Sequence, residues 1–186
     1  MKALFRTAAE LSRLLSERGW QYCFIGGNAL QRWGQPRLTN DIDLTILTGF
    51  GQGARYIDEL LKIYNGRIPD SRGFALTNRV LLLVTKDGIP IDAALGGIAF
   101  EEKVVSRASL QEFLPGLMLP ICSVEDLIVL KSFADRARDW VDVETIIVRQ
   151  RKQLDWEYIF EQLRPLCQVK ESLEIMGHLE RLRDCL

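Results

Sequence analysis

Thr39-Asn40-Asp41-Ile42-Asp43-Leu44 is the stretch whose reading decides the fold. Two carboxylates one residue apart sit inside an apolar run. Successive strand side chains point to opposite faces, so a strand here brings Asp41 and Asp43 out side by side on one face. Like charges that close repel, and burying them is costly unless something neutralises them. A divalent cation is the simplest neutraliser, and Mg²⁺ favours one or two carboxylates, completing its shell with water and substrate phosphates. Upstream, separated from Asp41 by a spacer of thirteen residues, stands Gly26-Gly27. A glycine pair that opens a helix leaves backbone N–H groups accessible to a phosphate. Together the two features point to an enzyme that holds a nucleoside triphosphate through Mg²⁺ or Mn²⁺.

Working outward, residues 3–18 carry Leu4, Ala8, Leu11, Leu14 and Leu15 at helical period, and Gly19 ends the pattern. Tyr22–Ile25 reads as a first strand, broken by Gly26-Gly27. Asn28–Trp33 reads as a short helix that stops at Gly34 before Pro36. Ile42–Leu47 is the second strand, and Ala54–Tyr64 an amphipathic helix. Arg79–Thr85 and Ile89–Ala94 form a hairpin around Lys86-Asp87-Gly88. Pro90 places that second arm at an edge, or turns its missing N–H away from the ladder. Val104–Cys122 reads as short extended segments and turns. Ser123, followed by Glu125 and Asp126, is a helix start. From there to Leu186 the pattern is helical, with breaks expected near Gln153–Asp155 and Pro165–Gln168. The expected fold class is α+β: a mixed β-sheet core over residues 1–122 with helices, then a C-terminal bundle of three or four helices over 123–186.

Bulk properties narrow the function. The chain has 186 residues, 47% hydrophobic and 26% charged, ordinary values for a globular protein. No apolar stretch of membrane-spanning length occurs, and Arg6, Glu10 and Arg13 interrupt any signal core, so a cytoplasmic location and no membrane partner are expected. Cys23, Cys122, Cys167 and Cys185 are widely spaced without a C-x-x-C pair, which fits reduced thiols better than disulfides or zinc. The single histidine, His178, lies far along the chain from the acids and argues against His-dependent triads. A net charge of −1 exerts no global pull toward nucleic acid.

Nucleotidyl transfer needs phosphate positioning, charge neutralisation and an activated hydroxyl more than covalent chemistry by the protein. A pair of metal ions in such a site wants at least three carboxylates. Asp92, flanked by Ile91 and Ala93, is the same kind of anomaly as the first two: an acid inside an apolar strand. If its strand neighbours that of Asp43, the three acids converge. Each feature also has a structural reading. Gly26-Gly27 alone is an ordinary turn. Asp41-x-Asp43 alone is an edge-strand solubility device, or a fragment of a calcium loop whose glycine and spaced ligands are missing. Asp92 pairs, on that view, with a buried arginine such as Arg79. Lys131 is a surface lysine, Arg138-Asp139 and Asp142 an ion-pair set at a helix junction, and Arg149-Gln150-Arg151-Lys152 a solvated helix end. Trp33, Trp140 and Trp156 are packing residues. Leu173, Met176, Leu179 and Leu182 form a core stripe or a dimer face.

Gly26-Gly27, the acidic pair Asp41-Ile42-Asp43-Leu44 and the later Ile91-Asp92 resemble the DNA polymerase β-like nucleotidyltransferase superfamily. The run through Asn28, Ala29, Arg32, Gly34, Arg37 and Thr39 is most similar to its small prokaryotic branch, which includes abortive-infection-type toxins. Glu125-Asp126-Leu127, Lys131, Arg138-Asp139 and Asp142 are similar to that branch's helical region. The resemblance implies a nucleotidyltransferase core in which Asp41 and Asp43 bind Mg²⁺ or Mn²⁺, and Asp92 completes the acceptor-side metal and helps deprotonate the acceptor. It implies that Gly26 and Gly27 admit the triphosphate, and that Lys131 and Arg37 offer it positive charge. The implied reaction moves a nucleoside monophosphate from an NTP to a hydroxyl of an RNA, a protein or a small molecule, and an antitoxin partner would fit a toxin. The competing readings are a non-catalytic nucleotide- or partner-binding module of the same fold, and a calcium-binding structural domain. Three intact acids weigh against the module, since without a ligand they bring only repulsion.

Overall fold

Ile42, Leu44 and Ile46 are fully buried, while Asp43 between them is half-exposed. That alternation makes Ile42–Leu47 (β2) a strand with one face in the core and the other carrying the acids. A computed structural model describes residues 1–185, so Leu186 lies outside them. The chain divides into two compact units, Met1–Asn28 with Leu38–Cys122, and Ala29–Arg37 with Ser123–Leu186. The helix α2 (Gly26–Trp33) contributes its first turn to one unit and its remainder to the other.

The first unit is built on a seven-stranded mixed sheet. Its strands are β1 (Tyr22–Phe24), β2, β3 (Asn65–Gly66), β4 (Val80–Val84), β5 (Pro90–Gly96), β6 (Ser109–Leu114) and β7 (Leu117–Ile121), in the spatial order β3-β4-β5-β2-β1-β7-β6. β2 runs antiparallel to β1 and parallel to β5, and β5 runs antiparallel to β4. The amphipathic helix α1 (Lys2–Glu17) packs its buried Leu4, Ala8, Leu11 and Leu15 side over β7. The helices α3 (Gly53–Leu61) and α4 (Ser71–Asn78) pack on each other, and α5 (Ala99–Ser106) lies on β2.

Three expectations are corrected here. Of the two readings of Pro90 only the edge is overturned: β5 lies inside the sheet, and Pro90 is its first residue, paired with Val84, where one missing N–H is tolerated. Gly26-Gly27 does not precede α2 but forms its first turn. The segment before Cys122 is not all extended, because α5 occupies its start, capped by Glu101, whose carboxylate accepts the N–H groups of Gly97 and Ile98.

In the second unit the helices are α6 (Val124–Ala134), α7 (Ala137–Gln150), α8 (Trp156–Lys170) and α9 (Glu174–Cys185), with a 3₁₀ turn at Arg151–Gln153. Ser123 caps α6 as expected, its hydroxyl accepting the Asp126 N–H at 3.1 Å. The expected break at Pro165 does not occur: α8 continues through it. Pro165 is exposed, so the carbonyl it leaves without an amide partner can be met by water. Of the expected C-terminal stripe, Met176 and Leu179 are buried, whereas Leu173 is exposed. Trp140 stacks on His178 at 3.9 Å between ring centroids, which places the single histidine in helix packing. Among the described residues no disulfide joins Cys23, Cys122, Cys167 and Cys185; the first three are buried and Cys185 is exposed. Among the described residues no helix is long and apolar enough to cross a membrane.

Candidate active site

The strands of Asp43 and Asp92 are direct neighbours, and the two residues are register partners. Their side chains therefore leave the same face of the sheet side by side. Asp41 stands just before β2, and its charge acts on Asp92. Burial pushes the Asp92 carboxyl above the usual carboxylate range. The nearby guanidinium of Arg67 opposes that rise and Asp41 adds to it.

Each acid has a partner of its own. Asp41 Oδ1 accepts the Thr39 hydroxyl at 2.7 Å. Asp43 Oδ2 accepts the Gly27 backbone N–H at 3.2 Å. Asp92 Oδ1 lies 2.7 Å from Arg67 Nη2. That last contact is a charge contact rather than an aligned hydrogen bond, for Oδ1 is buried and has no aligned donor. Arg79, the arginine expected beside Asp92, is elsewhere. Its guanidinium donates to the carbonyls of Leu95 and Gly49 and lies over the Phe50 ring.

The glycine pair is built against these acids. Gly26 has φ +54°, a left-handed conformation costly for any residue with a Cβ, and a Cβ there would fall on the Asp43 carboxylate. At Gly27 a Cβ would collide with the Thr39 hydroxyl that holds Asp41. The glycines therefore allow the Asp43 carboxylate and the Thr39 hydroxyl to pack directly against the first turn of α2. Asn28, fully buried in the same turn, donates to the Asp41 backbone carbonyl at 3.4 Å, while its own Oδ1 has no partner.

The donor set suits a hard divalent cation: carboxylate oxygens only, two of them on register partners, one carrying a buried and unaligned oxygen. Among the described residues no three His, Cys, Asp or Glu side chains already stand as a metal-holding group. A separate cavity of about 1060 Å³, lined by Trp20, Tyr22, Leu47 and Lys103, lies at the other end of β2 and includes none of the acids.

Arg37 and Lys131 belong to the second unit, and both engage one carboxylate. Arg37 donates from Nε and Nη2 to the two oxygens of Asp142, each at 2.8 Å. Lys131 Nζ lies 2.6 Å from Asp142 Oδ2 and 2.9 Å from Asp139 Oδ1. Lys131 is buried, so it is not the surface lysine of the structural reading. Burial opposes ionisation of Asp142, yet the hydrogen bonds from Arg37 and Lys131 outweigh it and hold the carboxyl below the usual range. Asp139 and Asp142 thus do form an ion-pair set at the helix junction, with Lys131 and Arg37 as the cations.

Sequence reasoning missed Arg67. The strand just before it, β3, is only two residues long and carries no periodicity. Asp70, whose side chain caps α4 by accepting the Gly73 N–H at 2.9 Å, was the nearest legible signal in that region.

A substitution at Gly27 separates binding from folding. Gly27→Val is expected to weaken Mg²⁺–nucleotide binding by about 100-fold through displacement of Thr39 and Asp41. The overpacking itself should cost only ~1–3 kcal/mol. Calorimetric titration set beside thermal melting checks this, and equal losses in both would mean a purely structural turn.

The model of one protein family, described as nucleotidyl transferase AbiEii toxin, type IV TA system, matches residues 11–163. Among curated proteins no significant match is found. Three solved structures share the fold. The antibiotic-resistance factor ANT(2'')-Ia is 17% identical, with 95% of this chain and 97% of that chain covered and a TM-score of 0.55. An antigenic nucleotidyltransferase-like protein from Paracoccidioides brasiliensis is 16% identical, covering 95% and 92%, with a TM-score of 0.53. The lincosamide antibiotic adenylyltransferase LnuA is 14% identical, covering 74% and 92%, with a TM-score of 0.52.

Proposed function

Since this chain belongs to the AbiEii family of nucleotidyl transferase toxins of type IV toxin–antitoxin systems, we propose that it uses the three aspartates to transfer a nucleoside monophosphate from an NTP to an acceptor hydroxyl. The observation that carries this reading is the register pairing of Asp43 with Asp92 beside a glycine turn packed so closely that a Cβ at Gly26 would strike the Asp43 carboxylate. Asp41 and Asp43 would hold Mg²⁺ or Mn²⁺ and Asp92 would complete the acceptor-side ion; when bound, the metal supplies Lewis-acid neutralisation of phosphate charge. Gly26 and Gly27 open the α2 N-terminus to the triphosphate. The hydroxyl oxygen bonds to the α-phosphorus, the bond to the bridging oxygen breaks, and pyrophosphate leaves. Asp92 helps to take the hydroxyl proton. Arg37 and Lys131 are proposed nucleotide-binding residues, each starting from an ion pair with Asp142 with which the phosphates must compete.

The acceptor is an RNA, a protein or a small molecule. A cytoplasmic setting and an antitoxin partner are part of the same proposal, and the family membership supports both. The three acids favour catalysis over a non-catalytic binding module, because even with the Arg67 contact the Asp92 carboxyl stays above the usual range, a cost that a bound cation would relieve.

The test is incubation with each α-labelled NTP, Mg²⁺ and cell extract, followed by separation of RNA, protein and small molecules. Label should pass into one of these fractions with release of pyrophosphate, and chelation should abolish it. Nucleotide binding without any transfer would support the module instead.

A further inference from the structure

Arg67, Leu82, Asp92 and Asp43 stand in one row across four neighbouring strands. The Arg67 N–H donates to the Leu82 carbonyl at 2.9 Å, which extends the β3–β4 pairing by one residue. Leu82 is the register partner of Asp92, and Asp92 that of Asp43. Residues in such a row share a face. The guanidinium therefore reaches across β4 from a backbone fixed by the sheet, and Nη2 ends 2.7 Å from Asp92 Oδ1. That oxygen is buried without an aligned donor, so the arginine meets it as a charge. Both side chains are about one-third exposed, Arg67 at 33% and Asp92 at 32%, so the contact is open to exchange.

We propose that Arg67 is a built-in cation on the third carboxylate, one that takes the place of a second divalent ion. The inference rests on the reading of Asp41, Asp43 and Asp92 as the nucleotide site. Three carboxylates less one guanidinium leave two negative charges, so the acids attract one cation fewer than an unpaired cluster would. The chain accordingly loads nucleotide with one ion, held by Asp41 and Asp43, and Asp92 receives an ion only when Arg67 withdraws. A guanidinium keeps its charge at every physiological pH, so acidity does not switch the contact. Arg67 acts through Asp92 and is a positioning residue.

Counting bound Mn²⁺ by electron paramagnetic resonance, with α,β-methylene-ATP as a donor that cannot be transferred, tests this without reference to activity. The unaltered chain should bind one Mn²⁺ per nucleotide complex. Arg67→Gln should bind two, the second at least about tenfold more tightly than the unaltered chain binds it. Arg67→Lys, which keeps a cation, should remain at one. Two ions in the unaltered chain, or one in Arg67→Gln, would overturn the proposal. Asp43→Asn separates the two levels of the argument. If it removes the nucleotide-linked ion while Arg67→Gln leaves the count at one, the nucleotide site stands and the role of Arg67 falls. If the unaltered chain takes up no ion with nucleotide, the site reading itself fails and this inference with it.

Discussion

Asp43→Asn is expected to reduce nucleotidyl transfer by at least about 10³-fold, roughly 4 kcal/mol of transition-state stabilisation. The amide keeps the shape of the side chain, and its oxygen can still accept the Gly27 N–H that Asp43 Oδ2 accepts at 3.2 Å. What it removes is one of three clustered negative charges. Asp92 is the register partner of Asp43, and Asp41 already raises the cost of ionising Asp92. Relief of that repulsion means the metal-free variant should melt no lower than the parent, and even higher. The combination is diagnostic: activity lost, stability kept. Pyrophosphate release measured beside a thermal melt reads both. An active variant would remove Asp43 from the site, and a variant that melts early would make it a structural residue.

The second large effect lies in the ion cluster of the helical unit. Asp142→Ala is expected to lower stability by about 3–5 kcal/mol, the usual cost of breaking a buried ion pair from one side. The Asp142 side chain is only 4% exposed and that of Lys131 6%. Without Asp142 the ammonium keeps only Asp139, at 2.9 Å, and Arg37 loses a bidentate partner. For a chain of this size the melting temperature should fall by roughly 10 °C. The pH dependence has a definite sign. The folded carboxyl of Asp142 is held below its ordinary value, so its stabilisation is complete above about pH 4, where the unfolded carboxyl is ionised. It is lost as the pH falls toward the lowered folded value. Chemical denaturation at pH 7 and pH 3 should show the parent losing that increment and Asp142→Ala losing much less. A parent whose stability is flat over this interval would contradict the assignment.

Much of the site was legible locally. The alternation of Ile42, Asp43 and Leu44 marked β2 with the bounds the structure shows, because one buried face enforces a period of two. Lys86-Asp87-Gly88 marked the hairpin, since Gly88 supplies the positive φ of +79° that the turn uses. Ser123 marked the start of α6 by its capping chemistry. What was not legible is non-local. That β5 lies beside β2 with Asp92 opposite Asp43 depends on pairing across more than forty residues, which no local pattern encodes. Arg67 was hidden because the two-residue β3 has no periodicity, and it matters only through a row of register partners. Lys131 read equally well as a surface lysine until the carboxylates of Asp139 and Asp142 gave it buried partners. Pro165 misled in the opposite direction, for an exposed helix face tolerates a missing N–H that a buried one would not.

The measurement that bears most directly on the three-acid site is nucleotide titration followed by amide and carboxylate NMR, with Mg²⁺ and with chelator. Binding is expected only with Mg²⁺, with the largest shifts at the backbone amides of Gly26 and Gly27 and the side-chain carboxylates of Asp41, Asp43 and Asp92. Equal binding in the presence of chelator, or shifts confined to the Trp20–Tyr22–Leu47 cavity at the other end of β2, would contradict it.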